Sequence, residues 1–459
     1  MLIAAEAICG PERYQEGLEC LQMSQHFATT GDGKVSDDMA HSSPEYRAKT
    51  LWRGGRPLPP RLLYMGMQSL DALLFSMAYT IYGLYAVKAA TLGPLELTLV
   101  GTIMELAIFL TEVPTGMVAD LYSRRLSVII GLCIIGTGIA LLGVVPTFWC
   151  IALGSVLWGV GGTFISGAHQ AWLADEIGEV QAAPVYLRAT QLSQVGGLVG
   201  IPLSVALASI QLPLPLWVSG AGFWGLAGLL LLTMPEQGYR PAAPAQRHAW
   251  QGLRKTWRAG LATVRGRAAL RSIFVITVLY GMSSEALSRL APLHLLATIG
   301  LPSSFAEATW FGILQAGALL GGAVVTWGIS QTTVLYNPQR LVQILLACTV
   351  VMLLATLLFA LAGVFWLGLI AVWMTRWLRI ATRPLMVAWA NRGLAPGARA
   401  TVLSMLSQAE ALGEVCGGPL LGLVGTLHTV RTALVGAAMV LLPALPLYGQ
   451  AVRHSKREA

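Results

Sequence analysis

Residues 116–125 read Gly116-Met117-Val118-Ala119-Asp120-Leu121-Tyr122-Ser123-Arg124-Arg125, an acid followed by a basic pair within ten residues. On either side the chain turns apolar at once. Residues 94–118 and 126–145 are each long enough to cross a bilayer, which takes roughly 20 apolar residues. The decapeptide is therefore the tight polar connection of a membrane hairpin. Its arginines belong on the cytoplasmic side, where Lys and Arg are retained.

The same alternation runs through most of the chain. Apolar segments fall at about 61–87, 94–118, 126–145, 149–173, 188–210, 214–234, 271–296, 306–329, 341–362, 364–389, 400–425 and 430–449. This predicts an all-α polytopic membrane protein, with twelve transmembrane helices forming two pseudo-symmetric six-helix bundles. Residues 1–52 are expected to be a disordered cytoplasmic tail. The two bundles are expected over 53–234 and 271–450, a basic cytoplasmic loop over 235–270, and a second cytoplasmic tail over 451–459. Composition agrees. Of 459 residues 55% are hydrophobic and only 11% charged, and the mean hydropathy is +0.65. Soluble domains carry about a quarter charged residues, so a soluble enzyme is excluded.

Thirty Lys and Arg against 22 Asp and Glu give a net charge of +8. The basic residues gather in alternate gaps: Arg53 and Arg56, Arg124 and Arg125, the central loop, Arg392 and Arg399, and the C-terminal tail. Lys88 and Arg431 alone fall in the opposite gaps. A multi-pass protein of the cell membrane with both termini cytoplasmic is the expected topology. No aromatics are interleaved with these charges to stack bases, so nucleic acid is not an expected partner. In the central loop Trp250, Leu253, Trp257 and Leu261 recur at helical spacing among Arg254, Lys255, Arg258 and Arg265. That pattern suits a helix lying on the inner leaflet, or alternatively a calmodulin-like partner site.

Six cysteines form no Cys-x-x-Cys pair, and Cys133, Cys150, Cys348 and Cys416 lie in apolar runs, where they are expected as small buried apolar residues. Cys9, Cys20, His26 and His41 have no standard metal-site spacing. No metal or other cofactor is expected. The chain also lacks a His-Glu-x-x-His motif, a phosphate-binding Gly-x-x-x-x-Gly-Lys loop and a Ser/His/Asp grouping, so an enzyme is not expected.

The two halves share local sequence. Arg188-Ala189-Thr190-Gln191-Leu192-Ser193 recurs as Arg399-Ala400-Thr401-Val402-Leu403-Ser404, at the start of the fifth and eleventh segments. Ala171-Trp172 and Ala388-Trp389 close the fourth and tenth. Duplicated halves with a site between them are a transporter plan. With this plan, residues 116–125 resemble the loop signature of the major facilitator superfamily, matching at Gly116, Asp120, Arg124 and Arg125 and departing at Ser123, where glycine is usual. Glu112-Val113-Pro114-Thr115 resembles that superfamily's bacterial drug-efflux-like members. The resemblance implies a cavity lined by the first, fourth, seventh and tenth segments. It also implies that Gly116, Asp120, Arg124 and Arg125 form a cytoplasmic gate, latching the halves while the cavity opens outward. Gly116 permits close helix approach, and Asp120 can face the positive end of a neighbouring helix. The arginines can pair with acids or lipid phosphates, or alternatively serve only to fix topology.

Ionisable residues inside a bilayer are costly and mark function. The proton-coupling candidates are Asp71, Glu105, Glu285, Glu410 and Glu414. Arg289, Arg376, Arg379 and Arg383 are the intramembrane charge partners. Glu285 and Arg289 are four apart and can neutralise each other. Arg376 and Arg379 lie 13 and 10 residues from the segment end near 389, and Glu414 and Glu410 lie 14 and 10 from the start near 400. Two ion pairs at matching heights are therefore expected, either as a static clasp or with one carboxylate exchanging a proton. A nearby arginine holds a carboxylate ionised, so Asp71 and Glu105, with no basic residue in sequence reach, are the preferred proton carriers. Asp175 and Glu176 are expected to cap a helix or pair with Arg188, and His169 and His294 to be packing residues. Trp158, Phe164, Tyr280, Trp310, Trp373 and Trp377 are candidates to line the cavity, the alternative for each Trp being lipid-facing or interfacial packing. Aromatics with acids suit lipophilic or cationic compounds, whereas an unpaired arginine offers an anionic site. The expected function is proton-coupled efflux of amphipathic or drug-like compounds by a monomer, with a small-molecule substrate, protons and membrane lipids as partners. The alternative is a uniporter or proton symporter for a sugar, peptide or organic anion.

Overall fold

The computed structural model describes residues 58–239, 264–332, 337–392, 394 and 396–450. Both expected tails and the amphipathic part of the central loop lie outside the described residues. In chain order the helices are α1 (Pro60–Lys88), α2 (Pro94–Leu121), α3 (Arg124–Leu142), α4 (Phe148–Ile165), α5 (Ala168–Ile177), α6 (Glu179–Ile210) and α7 (Leu214–Thr233). They continue as α8 (Ala268–His294), α9 (Glu307–Ser330), α10 (Pro338–Leu361), α11 (Phe365–Ala390), α12 (Pro396–Leu427) and α13 (Val430–Met439). A π-helical turn, Leu295–Ile299, extends α8.

The chain is thus an all-α polytopic membrane protein. Among the described residues ten helices are long and apolar enough to cross a membrane. Helices α11 and α12 are 26 and 32 residues long but stand outside that ten, as the carriers of four arginines and two glutamates. Local chemistry sets the boundaries. Pro60, Pro94 and Pro338 open their helices, where a missing N–H costs nothing. The Ser123 hydroxyl accepts from Leu126 N at 2.9 Å to start α3. Asn337 and Thr429 do the same for α10 and α13.

Three boundaries differ from the expected ones. The last segment, expected unbroken over 430–449, turns at residues 440–443 after α13 and resumes as a short helical stretch over 444–450. The fourth segment breaks at Gly167 (φ +75°), separating α4 from α5. Residues 174–187, expected as a connection, are almost wholly helical, because Gly178 (φ +85°) turns the chain alone and α6 begins at the next residue. Left-handed φ is open to glycine at little steric cost.

The same packing recurs in both halves of the chain. Helix α1 lies along α6, and α8 along α12. A Cβ on Gly196 or Gly200 would collide with the Ser69 or Leu73 carbonyl. One on Gly413 would collide with the Val278 carbonyl, and one on Gly417 with the Met282 backbone. Small residues let helix backbones touch where lipid supplies no hydrophobic drive. Likewise α3 packs on α4 and α7, while α10 packs on α11 and α13. Outside, large apolar side chains such as Leu110, Trp149, Ile210, Val324 and Leu361 are exposed, as a lipid-facing surface requires. None of the four helix cysteines is fully buried, contrary to expectation: Cys133 and Cys416 are exposed, Cys150 and Cys348 half-buried. Lipid is apolar, so a thiol there need not retreat into protein.

Candidate functional site

Between the two halves lies a cavity of about 1060 Å³. It runs from Ala86 and Leu295, near the Lys88 end of the helices, to Trp327 and Ser330 at the far end of α9. Its two sides differ in kind. The first half of the chain contributes uncharged residues, with Phe75, Tyr79 and Tyr82 of α1 and Trp158 of α4 prominent. Every charged lining residue comes from the second half: Glu285 and Arg289 on α8, Arg376, Arg379 and Arg383 on α11, and Glu410 and Glu414 on α12.

The i,i+4 pair forms as expected. Arg289 Nε donates to Glu285 Oε1 at 2.8 Å, with Glu285 buried. Arg289 also reaches the Tyr82 hydroxyl at 3.5 Å and lies 6.0 Å from that ring's centroid. The pair sits in a notch on the other half of the chain. A Cβ on Gly101 of α2 would overlap the Glu285 carboxylate and crowd the Arg289 guanidinium.

The second charge group departs from the two expected pairs. Arg379 Nη2 takes both carboxylates, Glu410 at 3.2 Å and Glu414 at 3.1 Å. Arg383 approaches Glu410 at 3.8 Å with its side chain 73% exposed. Arg376 has no ion pair among the described residues; its Nη1 donates to the amide oxygen of Gln315 on α9 at 3.3 Å. Helix rotation is the reason. Three residues advance a helix by about 300°, which turns Arg376 about 60° away from Arg379 although their depths match the glutamates.

Asp71 and Glu105 do not line the cavity, and neither makes a hydrogen bond or ion pair among the described residues. Glu105 does lie in electrostatic range of Glu285, Arg289, Glu410 and Arg379. Of the aromatic candidates Trp158 and Tyr280 line the cavity. Phe164, Trp310, Trp373 and Trp377 are not among its lining residues. Trp373 and Trp377 stack on each other at 6.0 Å and donate to the Leu314 and Gly317 carbonyls of α9. Trp310 packs among Phe305, Phe365 and Trp366. Both histidines are bound to backbone as packing residues: His169 to Ile165 O at 2.8 Å and His294 to Phe359 O at 3.1 Å.

The signature loop makes contacts that the sequence did not suggest. Arg124 pairs with Asp175 of α5 at 2.8 Å and lies 6.0 Å from the centroid of the Tyr239 ring. Arg188 is therefore not Asp175's partner, and Glu176 instead accepts from the backbone of Gln237 and Gly238. Glu236 accepts from Arg125 N at 3.0 Å and from the Ser123 hydroxyl. It thereby fills the anionic place at the start of α3 that had been expected of an aspartate at a neighbouring helix. Asp120 is exposed; its carbonyl accepts from Tyr239, and its carboxylate has no partner among the described residues. A Cβ on Gly116 would meet open space, so no close helix approach occurs there. All the described contacts of this cluster stay within the first half and the segment following α7; none reaches the second half.

The halves meet instead towards the other end. Lys88 pairs with Glu307 at 2.7 Å, and Leu95 N donates to the Thr426 hydroxyl at 3.2 Å. A Cβ on Gly83 would crowd the Pro292 ring. Moving towards the Arg124 end, the described hydrogen bonds between α2 and α12 stop at Gln408 Nε2 to Glu112 Oε2, 3.3 Å. Sequence spacing offered no signal for Gln315, Tyr82, Gly101 or Glu236, since each matters through a partner on another helix.

Residues 64–375 match the family model described as Major Facilitator Superfamily. No curated protein sequence matches the chain. Solved structures similar to it include the nucleoside transporter NupG (TM-score 0.69, 15% identity, covering 87% of this chain and 100% of that one). A bacterial homolog of the human lysosomal transporter Spinster, inward-facing and occupied, has a TM-score of 0.67 at 14% identity over 86% of this chain and 96% of that one. The peptide transporter POT in complex with sulfate has a TM-score of 0.65 at 13% identity, over 88% and 97%. At these identities the likeness is one of fold.

Proposed function

This chain belongs to the Major Facilitator Superfamily, and we propose that, as a secondary active transporter moving a small molecule by alternating access, it carries an organic anion. It is a transporter and not an enzyme. The observation that carries the proposal is Arg376, on the cavity wall with only the neutral Gln315 as partner. Four arginines against three glutamates leave the lining with one positive charge over. A monoanion seated at Arg376 neutralises it, with a charge-assisted hydrogen bond that is roughly twice as strong as a neutral one.

Amphipathic or drug-like compounds, the expected substrates, are the poorer fit, cationic ones above all. Glu285, Glu410 and Glu414 are each engaged by arginine, which leaves no lining acid to receive a cation. The fold neighbours, a nucleoside and a peptide transporter by name, also lend nothing to drug efflux. The uniporter or symporter alternative is therefore preferred.

In this proposal α11 and α12 also cross the membrane, giving twelve spans in two six-helix bundles over 53–234 and 271–450. Their charges are tolerated because they face the cavity and one another. The Arg124 end is cytoplasmic by the positive-inside rule, and this conformation opens to the cytoplasm. Gly116, Asp120, Arg124 and Arg125 latch the halves only in the opposite, outward-open state. Protons enter through Glu105, Glu410 and Glu414. An anion drawing Arg379 away leaves two carboxylates one turn apart, which disfavour being ionised together. Asp71, which unlike Glu105 has none of these charges in electrostatic range, has no part in this step.

The test is thermal stabilisation of purified protein by organic anions and by hydrophobic cations. Anions are expected to stabilise, and R376Q to weaken their binding about ten- to a hundredfold. Stabilisation by cations alone would overturn the assignment.

A further inference from the structure

We infer that the carried anion is aromatic, a planar ring system bearing one carboxylate-like group; this rests on the organic-anion assignment above and adds the identity of the uncharged part. The cavity is divided by chain half. From the first half of the chain, Phe75, Tyr79, Tyr82 and Trp158 form a continuous set of rings; only its Tyr82 end meets an arginine, Arg289, which is already paired with Glu285. Phe75 and Tyr79 are parallel at 5.8 Å, Trp158 stands edge-on to Phe75 at 5.1 Å, and Tyr82 meets Trp158 edge-on at 6.3 Å. Trp158 is held nearly buried between its neighbours, whereas Phe75 keeps 40% of its surface open. Such a set accepts one more ring by stacking or by an edge, since aromatic pairs gain from quadrupole geometry beyond the area they cover. An aliphatic group fills the same space without that gain.

No charged residue from the first half lines the cavity, so that wall offers no partner to a second ionic group. The substrate therefore has one charged pole and one apolar pole. Its charge meets α11 and its ring meets α1 and α4, and occupancy bridges the two moving parts. A volume of about 1060 Å³ leaves room for two fused rings, given that drug-sized ligands occupy sites of roughly 300–1,000 Å³.

The test compares 2-naphthoate with decahydro-2-naphthoate, which has the same carbon count and charge but no aromaticity, and with neutral 2-naphthalenemethanol, by binding to the purified full chain. The naphthoate is expected to bind about three- to tenfold tighter than its saturated analogue. F75L and W158L are expected to remove that preference while saturated-anion binding persists, and R376Q to weaken both anions. F75L changes an exposed side chain, so it reads out even if W158L fails to fold. Equal affinities for the two anions would overturn the aromatic assignment and leave the anion assignment standing. Tight binding of the neutral alcohol, unaffected by R376Q, would remove the anion assignment itself.

Discussion

At the scale of single residues, charges are worth what their surroundings make them. The Lys88–Glu307 pair is half exposed on both sides and contributes about 0–1 kcal/mol at most. Glu285 and Arg289 are a different matter, because both lie inside the packed boundary between the halves. Removing one partner strands the other, a loss of about 3–5 kcal/mol. E285A is therefore expected to lower the midpoint of thermal unfolding in detergent strongly, and E285A/R289A to recover part of the loss. A double variant worse than E285A would contradict the pairing. This pair was legible in the sequence because four residues on one helix fix both height and direction. The Arg379 group was legible only in height. Depth counting put Arg376 beside Glu414, but the direction in which α11 faces depends on α9 and α12, and Gln315 on α9 is what Arg376 meets. The arginine on which the proposed function rests, without an ion pair among the described residues, was thus present in the sequence as a residue, though its lack of an acidic partner was not legible.

At the scale of helices, the docking of α8 on α2 depends on one missing side chain. Gly101 leaves the space that the Glu285–Arg289 pair fills, so the closed Lys88 end requires glycine there. In a cysteine-free background carrying A86C, at a buried cavity position near that end, G101V is expected to raise labelling by a membrane-impermeant maleimide several-fold, as the Lys88 end opens more often. G101A should do so to a lesser degree, and unchanged labelling in both would contradict this role. Helix placement itself was largely legible: the apolar segments predicted the helices to within a few residues at most ends. Helix α6 began early because a single glycine at Gly178 replaced a loop, and composition cannot show how few residues a turn needs; nor could it show the breaks inside the fourth segment at Gly167 and inside the last at residues 440–443. The signature loop was legible as a membrane-edge turn. Its partners Asp175, Glu236 and Tyr239 were not, since they converge from α5 and from the segment after α7.

At the scale of the whole molecule, a divided cavity sits in a scaffold whose packing repeats in both halves of the chain. The repeated pairings, α1 with α6 and α8 with α12, suit the proposed two bundles that rock as units. The proposed substrate site lies where the first half supplies uncharged residues and the second supplies every charge. The sequence made the membrane class and the transporter plan legible, because apolar length and basic gaps respond to the bilayer alone. It left the preference between cation and anion open. Aromatics and acids counted along the chain suggested cations, while the folded protein engages its cavity acids with arginine and leaves Arg376 over.

The most direct test is counterflow in proteoliposomes, which needs no knowledge of the coupling ion. Vesicles containing the wild-type protein and loaded with unlabelled 2-naphthoate are predicted to take up labelled 2-naphthoate transiently and saturably, with R376Q at least tenfold slower. Absence of counterflow with this and other organic anions, or an R376Q variant as fast as wild type, would contradict the account.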